Sequence, residues 1–191
     1  FIEISLPSTK YGVAVYSVIT PAEVSSNLAR FDGLRYGYQE AKQGDEAYLV
    51  NRGGGFGPEA KRRIMLGTYV LSAGEGHSYY DQAQNVRRWM KADFNQAFEK
   101  IDFILTPTVP NTAFNIGEKN SPLSLYIEDS LLTPASLAGL PAVSIPSGLA
   151  SNGLPIGAQL IGQMGDDFNL LNLASSLKEI LNFDQPSFSW E

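Results

Sequence analysis

The chain has 191 residues, of which 43% are hydrophobic and 18% charged, a composition typical of a globular protein. Fourteen basic residues against twenty acidic ones give a net charge of −6, which argues against a general nucleic-acid-binding surface. The sequence contains no cysteine, so disulfides, cysteine nucleophiles and thiolate metal sites are excluded. No apolar run approaches the roughly 18 residues of a membrane-spanning helix.

The N-terminal segment is predicted to contain a strand. Apolar and polar residues alternate over residues 1–6, which is the period of a β-strand, and the chain enters this pattern without a methionine. We therefore interpret the sequence as one piece of a longer protein. Residues 11–20 are rich in β-branched and aromatic side chains, and their pattern fits either a strand or a buried helix.

A helix is predicted to begin at Pro21. Proline suits the first helical turn, an acidic residue at position 23 suits the helix dipole, and Thr20 is the candidate N-cap. This helix would run to about Phe31 and end near Gly33. Residues 36–57 are polar and end in a glycine cluster, so we expect a mobile surface loop there. The cluster lacks the Gly-Lys-Ser/Thr that a phosphate-binding loop needs.

The middle of the chain is predicted to be mainly helical. Pro58 begins a helix that ends near Gly74. A second helix is indicated by one apolar stripe with spacings of three or four residues. Its members are Tyr80, Ala83, Val86, Met90, Phe94 and Phe98. The single histidine, His77, precedes this stripe in a polar segment, and we interpret it as a solvated loop residue. Residues 101–106 are predicted to form a buried strand, and residues 111–122 a loop.

Residues 130–162 carry almost no charge and are predicted to form the core of a sheet. Two apolar runs, residues 142–145 and 156–161, are bounded by glycine and proline, which is typical of strands buried on both faces. The Asn-Gly pair in the turn at residues 151–153 would join them as a hairpin. Pro146 lacks an amide donor and is expected at a strand end. On pattern alone, this stretch need be no more than a sheet core.

Helices flank this predicted core. Residues 123–138 are expected to be helical in pieces, broken near Pro134, and Asp166 with Asp167 is expected to cap a last helix. Strands that alternate with helices indicate an α/β fold. We find no internal repeat and no linker long enough to separate two domains, so residues 1–191 are interpreted as a portion of a single domain.

Polar side chains inside apolar segments are the candidates for a binding site. Tyr16 lies in an apolar run, Arg62 and Arg63 lie where a helix turns its apolar face inward, and Asp129 lies just before the uncharged stretch. Each of them also fits a structural role as a cap, a surface charge or an internal ion pair. Together, an arginine, an aspartate and a tyrosine would suit a small zwitterion, because guanidinium binds a carboxylate through two parallel hydrogen bonds and a carboxylate binds an ammonium.

Four segments carry a resemblance to a known family. They are PAEVSSNLARFDGLRYG at 21–37, FGPEAKRRIMLGTYVLSAG at 56–74, ILTPTVPNTAF at 104–114, and TPASLAGLPAVSIPSG at 133–148 followed by GLPIGAQLIG. They resemble the A subunits of the aspartyl/glutamyl-tRNA amidotransferases, which are amidase-signature enzymes. The last two segments occur widely among amidase-signature enzymes, whereas the first is typical of the tRNA-dependent branch. In place of a Tyr-Tyr-Asp-Ala-Tyr-Tyr type of run, this chain has Gly-Glu-Gly-His-Ser-Tyr-Tyr-Asp-Gln.

The resemblance implies the amidase-signature fold, an α/β fold with a mixed β-sheet flanked by helices, of which this chain would be the C-terminal part. It also implies a catalytic serine, a cis-serine and a lysine within a Gly/Ser-rich segment that this sequence lacks. The candidates without matching context are Ser25, Ser26, Ser175, Ser176, Lys10, Lys42 and Lys61. We therefore assign no catalytic residue and no metal ligand, and we expect the chain alone to be inactive.

The family pattern places Tyr16, Arg63 and Asp129 where residues contact glutamine. By this resemblance, Arg63 would bind the α-carboxylate of glutamine and Asp129 its α-ammonium. Arg62 is the alternative to Arg63 if the correspondence slips by one residue. A zwitterionic amide donor requires both charges, whereas an apolar amide would leave them unsatisfied.

The function implied by the resemblance is glutamine hydrolysis through an acyl-enzyme. The ammonia would pass to the B protein of the complex, which uses ATP and Mg²⁺ to convert Glu-tRNA(Gln) or Asp-tRNA(Asn) to Gln-tRNA(Gln) or Asn-tRNA(Asn). The implied partners are the amidotransferase B and C subunits, charged tRNA held by the B protein, and the N-terminal half of the same domain. No cofactor is expected in this chain, and the expected location is the cytoplasm or an organellar matrix. The alternatives are a fragment of a general amidase acting on another carboxamide, and a non-enzymatic interaction module that kept the fold.

Overall fold

The computed structural model describes residues 1–40, 44, 46–72, 74–118 and 122–182. The chain forms two compact units. The helical unit comprises Ala14–Asn85, and the sheet unit comprises Phe1–Val13 together with Val86–Glu191. No helix within the described ranges is both long enough and apolar enough to span a bilayer.

The described residues form helices interspersed with three short strands. The helices are α1 (Gly12–Leu28), α2 (Ala47–Gly55), α3 (Pro58–Leu71), α4 (Glu75–Phe98), α5 (Pro122–Glu128), α6 (Thr133–Ala138) and α7 (Asp167–Leu181). The strands are β1 (Ile104–Pro107), β2 (Ala142–Leu149) and β3 (Pro155–Ile161).

Helix α1 begins earlier than the sequence predicts. Residues 12–20, for which a strand and a helix were both open, are helical, and Pro21 lies inside α1 instead of starting it. The predicted cap at Thr20 is therefore wrong. A proline inside a helix removes one backbone hydrogen bond, but Pro21 is buried and its carbonyl packs closely against Gly67 of α3. Helix α1 continues through Pro21 and ends at Leu28.

Helix α2 lies where the sequence predicts a mobile loop. That prediction is wrong for Ala47–Gly55, while residues 41–43 and 45 of the predicted loop lie outside the described residues. Ala47 and Asn51 are almost completely buried, with exposures of 2% and 1%. The Arg52 guanidinium donates to the carbonyl oxygens of Leu28 at 3.2 Å and Phe31 at 2.6 Å. These tertiary contacts stabilise a segment whose composition alone favours a loop.

Helices α3 and α4 lie where the sequence predicts helices, and α4 follows its predicted apolar stripe. Met90 and Phe94 of the α4 stripe are fully buried. His77 is an exposed residue of α4, not of a loop, and its Nε2 atom lies 3.7 Å from Asp81 Oδ2. The predicted loop position of His77 is therefore wrong, because the helix begins ahead of the apolar stripe.

Residues 1–6 do not form the predicted strand. Ile4 and Leu6 instead pack against a core cluster, so their apolar side chains are partly buried without strand pairing. The cluster consists of Phe94, Ile104, Ala135, Ala138 and Ile161. The alternation therefore predicted the secondary structure of this segment wrongly, although it accompanies the partial burial of Ile4 and Leu6.

The three described strands form an antiparallel sheet in the order β1-β3-β2. The β2–β3 hairpin is confirmed, and Ala150 N donates to Leu154 O at 2.8 Å across its turn. Gly153 adopts a φ of +79°, a conformation that favours glycine at this point of the turn. In the register, Val143 lies opposite Leu160 on β3.

Strand β2 differs from its prediction in two respects. Ala142 and Ser144 are exposed, so the predicted run at residues 142–145 is not buried on both faces. Pro146 lies inside the strand, next to a register shift between Pro146 and Gly148. An irregularity of this kind tolerates a residue that has no amide donor.

Helix α7 packs on the sheet as its apolar face predicts. Leu170 and Ala174 form a buried cluster with Ile145 and Leu160. Asp166 occupies the predicted N-cap position, but its side chain does not cap the helix backbone. Its Oδ1 atom instead accepts a hydrogen bond from Asn169 Nδ2 at 2.6 Å.

Candidate functional site

Tyr16 and Arg63 meet between α1 and α3 of the helical unit. Arg63 Nη1 donates a hydrogen bond to the Tyr16 hydroxyl at 3.0 Å, although the residues are 47 positions apart in sequence. The Arg63 Cζ atom also lies 5.8 Å from the centre of the Tyr16 ring. Tyr16 is half-buried, and 23% of the Arg63 side chain is exposed. The structure thus brings two of the three predicted site residues into direct contact.

Glu59 binds both neighbouring arginines. Its Oε1 atom accepts hydrogen bonds from Arg63 Nε at 2.7 Å and from Arg62 Nη2 at 2.7 Å. Its Oε2 atom accepts from Arg62 Nε at 2.8 Å. The hydrogen bonds from Arg62, and then those from Arg63, lower the pKa of Glu59 from its ordinary value to about 2. The carboxylate is therefore charged throughout the neutral range.

Glu59 is a site residue that the sequence reasoning missed. Its signal was present in the Glu-x-x-Arg-Arg spacing after Pro58, because residues three and four apart share one side of a helix. The contacts also distinguish the two arginines. Arg62 pairs with Glu59 through two nitrogens, whereas it is Arg63 that reaches Tyr16.

Asp129 follows α5 in the sheet unit. Its backbone carbonyl accepts hydrogen bonds from Leu132 N and Thr133 N, both at 3.0 Å. The helical segment is interrupted at residues 129–132, directly before the turn of α6 that contains Pro134, so the predicted break near Pro134 is confirmed. Pro134 belongs to the first turn of α6, where proline costs no helix hydrogen bond.

A buried glutamine fixes the turn that contains Asp129. Gln159 of β3 is 2% exposed, and its Nε2 atom donates to Leu131 O at 3.1 Å and to Thr106 Oγ1 at 3.3 Å. The Asp129 side chain is half-buried. Because Asp129 lies in the sheet unit while Tyr16 and Arg63 lie in the helical unit, its membership of the same pocket stays a prediction.

The segment after α1 is held by polar side chains. Asp32 Oδ1 accepts hydrogen bonds from Leu34 N at 2.9 Å and Arg35 N at 2.8 Å. Arg35 Nε also lies 3.0 Å from Asp32 Oδ2. The backbone hydrogen bond from Arg35, followed by that from Leu34, holds the pKa of Asp32 well below its usual value. This segment lies within residues 21–37, one of the four segments that carry the resemblance described above.

Asn51 connects the same segment to α2. Its Nδ2 atom donates to Gly33 O at 2.6 Å, and its Oδ1 atom accepts from Glu40 N at 2.8 Å. A cavity of about 180 Å³ lies beside these groups. Its lining includes Phe31, Tyr38, Asn51, Arg52 and Phe56.

Three of the residues considered for catalysis, Ser25, Ser176 and Lys61, contact other groups of this chain. Ser25 Oγ lies 3.2 Å from Thr68 Oγ1, and Ser176 Oγ donates to Asn172 O at 3.0 Å. Lys61 Nζ donates to Gly53 O at 2.6 Å, whereas position 42 lies outside the described residues. Over the described part of the chain, no group of three or more His, Cys, Asp or Glu side chains could hold a metal ion.

Comparison with known proteins gives consistent matches over most of the chain. The A subunit of the glutamyl-tRNA(Gln) amidotransferase of Rickettsia bellii (strain RML369-C) is 56% identical over 181 residues, covering 93% of this chain and 37% of that protein. The protein of the same name from Novosphingobium aromaticivorans is 50% identical over 193 aligned positions, covering 99% of this chain and 39% of its own length. The chain therefore spans well under half the length of these curated relatives.

Solved structures agree with these sequence matches. The crystal structure of the glutamyl-tRNA(Gln) amidotransferase A subunit from Thermotoga maritima superposes with a TM-score of 0.65 at 40% identity, covering 92% of this chain and 34% of that one. A crystal structure of an amidase gives a TM-score of 0.69 at 22% identity, a likeness of fold alone. The profile of the family described as Amidase matches residues 1–171. The chain therefore belongs to the amidase family and has part of the amidase-signature fold.

Proposed function

We propose that this chain is the C-terminal part of the glutamine-hydrolysing subunit of a tRNA-dependent amidotransferase, and that it contributes the glutamine pocket without the catalytic serines and lysine. The observation that carries the proposal is the hydrogen bond between Arg63 and Tyr16. It joins two residues that the family pattern assigns to one ligand. The high identity to the A subunits of glutamyl-tRNA(Gln) amidotransferases supports the same conclusion.

Each pocket residue has a chemical role in this proposal. The Arg63 guanidinium binds the α-carboxylate of glutamine, because its planar donors match the geometry of a carboxylate. The Tyr16 hydroxyl orients that guanidinium. Asp129 binds the α-ammonium. Among the described residues, no side chain forms a hydrogen bond or ion pair with the half-buried Asp129 carboxylate, which supports a role toward a ligand.

The partners in this proposal are those of the whole amidotransferase. Ammonia passes to the B protein, which holds charged tRNA and uses ATP and Mg²⁺, and the C protein completes the complex. The names of the relatives favour Glu-tRNA(Gln) as the acceptor. A net charge of −6 suits a subunit that handles glutamine and leaves tRNA to its partner. The complex would work in the cytoplasm or an organellar matrix.

The pocket can be tested with two analogues that each lack one charge of glutamine. 4-Aminobutanamide lacks the α-carboxylate, and glutaramate lacks the α-ammonium. In the full-length subunit within its complex, Arg63→Gln should lower kcat/KM for glutamine about ten- to hundredfold, since a charged hydrogen-bonded pair is lost. The same substitution should change kcat/KM for 4-aminobutanamide little. Asp129→Asn should likewise lower kcat/KM for glutamine, which carries the α-ammonium, and change kcat/KM for glutaramate little.

Matched controls separate the pocket from general damage. Lys91→Gln and Asp102→Asn change exposed charges and should leave all three substrates unaffected. If Arg63→Gln and Asp129→Asn lower kcat/KM for glutamine and for the analogues equally, these residues do not bind the two charged groups of glutamine. A general amidase that acts on another carboxamide would then be the better assignment.

A further inference from the structure

We propose that Glu59 is a positioning residue that sets the direction of the Arg63 guanidinium and thereby the selectivity of the site for an α-carboxylate. This inference rests on the proposed glutamine pocket and adds a residue that the family pattern did not supply. It is carried by the contacts among Glu59, Arg63 and Tyr16, all of which lie in the helical unit.

The Arg63 guanidinium is held at two of its nitrogens. Nε donates to Glu59 Oε1 at 2.7 Å, and Nη1 donates to the Tyr16 hydroxyl at 3.0 Å. Nε and Nη1 belong to different edges of one rigid plane, so two bonds to different partners fix both the tilt and the direction of that plane. Removing either partner would leave the guanidinium attached at one of these two points only.

Glu59 is itself held in place. Arg62 binds it through Nε and Nη2 at 2.8 and 2.7 Å, a two-point contact with defined geometry. Glu59 lies in the first turn of α3, where the helix dipole favours a carboxylate. Its position four residues before Arg63 is the favourable order for an acid and a base on one helix face. Arg62 therefore supports the orientation of Arg63 indirectly, through their shared carboxylate.

Because Glu59 is partly exposed, its replacement is expected to affect the binding of a carboxylate more than the stability of the fold. About half of its side chain, 54%, is exposed, and ion pairs exposed to water stabilise a fold only weakly. A large loss of stability is therefore not expected when Glu59 is replaced. A guanidinium that rotates more freely, by contrast, binds a carboxylate less well, because part of the binding energy is spent on orienting it.

The test compares two substrates in the complete amidotransferase. Glutamine carries the α-carboxylate that Arg63 would bind, and 4-aminobutanamide lacks it. For Glu59→Gln, the ratio of kcat/KM for glutamine to that for 4-aminobutanamide should fall about three- to tenfold, the effect of one hydrogen bond. Glu59→Asp keeps the charge and should restore part of the ratio. Glu46→Gln, the same chemical change at an exposed residue of the helical unit, should leave the ratio unchanged.

The outcomes distinguish this inference from the proposed function. If Arg63→Gln lowers the ratio but Glu59→Gln does not, the inference is overturned and the glutamine pocket stands. If Glu59→Gln lowers both kcat/KM values equally, Glu59 has a structural role only, and the inference is likewise overturned. If Arg63→Gln itself leaves the ratio unchanged, the proposed pocket fails, and the role of Glu59 fails with it.

Discussion

Gly67 of α3 lies directly against the backbone carbonyl of Pro21 in α1, leaving no room for a side chain between the two helices. A Cβ atom at position 67 would overlap the Pro21 carbonyl and would also crowd the Ser25 side chain. Close approach of the two backbones therefore depends on glycine at this position. The same two helices carry Tyr16 and Arg63, so their separation bears on the candidate site.

We predict that Gly67→Ala destabilises the protein. Alanine favours a helix over glycine by about 1 kcal/mol, but overlap with a backbone atom requires α1 and α3 to move apart, at a typical cost of about 1–3 kcal/mol or more. The steric term should outweigh the helix-propensity term, giving a net loss of up to about 2 kcal/mol, or more if the two helices cannot move apart. The midpoint of urea unfolding of the full-length subunit measures this change.

Gly53→Ala is the matched control for that prediction. Gly53 is an exposed residue of α2, and a Cβ atom there would have no neighbour within 4 Å. The substitution should stabilise the protein by about 0.5–1 kcal/mol through helix propensity alone. Equal effects of the two substitutions would contradict the steric argument.

The sequence predicts those elements whose signal is local. The stripe that includes Met90 and Phe94 specifies α4, and the Asn-Gly turn at Gly153 specifies the β2–β3 hairpin. Two of the wrong predictions share one physical cause, which is that tertiary contacts override local preference. Pro21 lies inside a helix where two backbones pack closely, and Asn51 makes buried hydrogen bonds that stabilise a helix in a glycine-rich segment.

The residues of the candidate site differ in how far the sequence alone predicts them. Charge chemistry suggested a tyrosine, an arginine and an aspartate for a zwitterion, but only the family resemblance selected Arg63 over Arg62. The contact between Arg63 and Tyr16 spans 47 residues, so no local pattern could have revealed it. Glu59, by contrast, was accessible from helical spacing alone, because its two partners are three and four residues away.

We predict that Tyr16→Phe weakens the use of glutamine without unfolding the protein. The ring remains, but the hydroxyl that accepts the hydrogen bond from Arg63 Nη1 is lost. KM for glutamine should rise about three- to tenfold, the range expected for the loss of one typical hydrogen bond, while kcat changes less. Steady-state glutaminase kinetics of the complete amidotransferase measure both constants.

Tyr69→Phe controls for the loss of a hydroxyl elsewhere in the same unit. Tyr69 of α3 is 53% exposed, and its replacement should leave KM unchanged. An unaltered KM in Tyr16→Phe would mean that the Tyr16 hydroxyl does not help to orient Arg63 for the substrate.

We predict that Asn51→Ala costs about 1–3 kcal/mol of unfolding free energy. The substitution leaves the Gly33 carbonyl and the Glu40 amide without the buried partner that each now has. Urea unfolding measures the loss, and hydrogen exchange of the Glu40 amide should become faster. Asn172→Ala on the exposed face of α7 is the control and should stay within about 0.5 kcal/mol of the parent. A similarly small change for Asn51→Ala would refute the anchoring role of Asn51.

We predict a pH-dependent contribution of Glu59 to stability. Hydrogen bonds from Arg62 and Arg63 lower the folded-state pKa of Glu59 from 4.5 to about 2. A group whose pKa is depressed by folding stabilises the folded state fully above its unfolded-state pKa. That contribution declines as the pH falls from about 4.5 toward 2 and disappears below the folded-state value.

The measurement is the difference in unfolding midpoint between the parent and Glu59→Gln as a function of pH. Taking the difference cancels the titration of other acids, including Asp32, whose pKa is also lowered in the fold. The difference should be constant above about pH 5 and shrink steadily between about pH 4.5 and 2. It should be small throughout, because Glu59 is largely exposed and its ion pairs are screened by water.

A difference that stays constant down to about pH 2.5 would show that the Glu59 pKa is the same in the folded and unfolded chains. The two arginines would then not stabilise the charged form of this carboxylate in the folded chain. The proposal that Glu59 orients Arg63 would then lose its electrostatic support. A carboxylate whose charged form is not stabilised by its two guanidinium partners would not hold either of them in one direction.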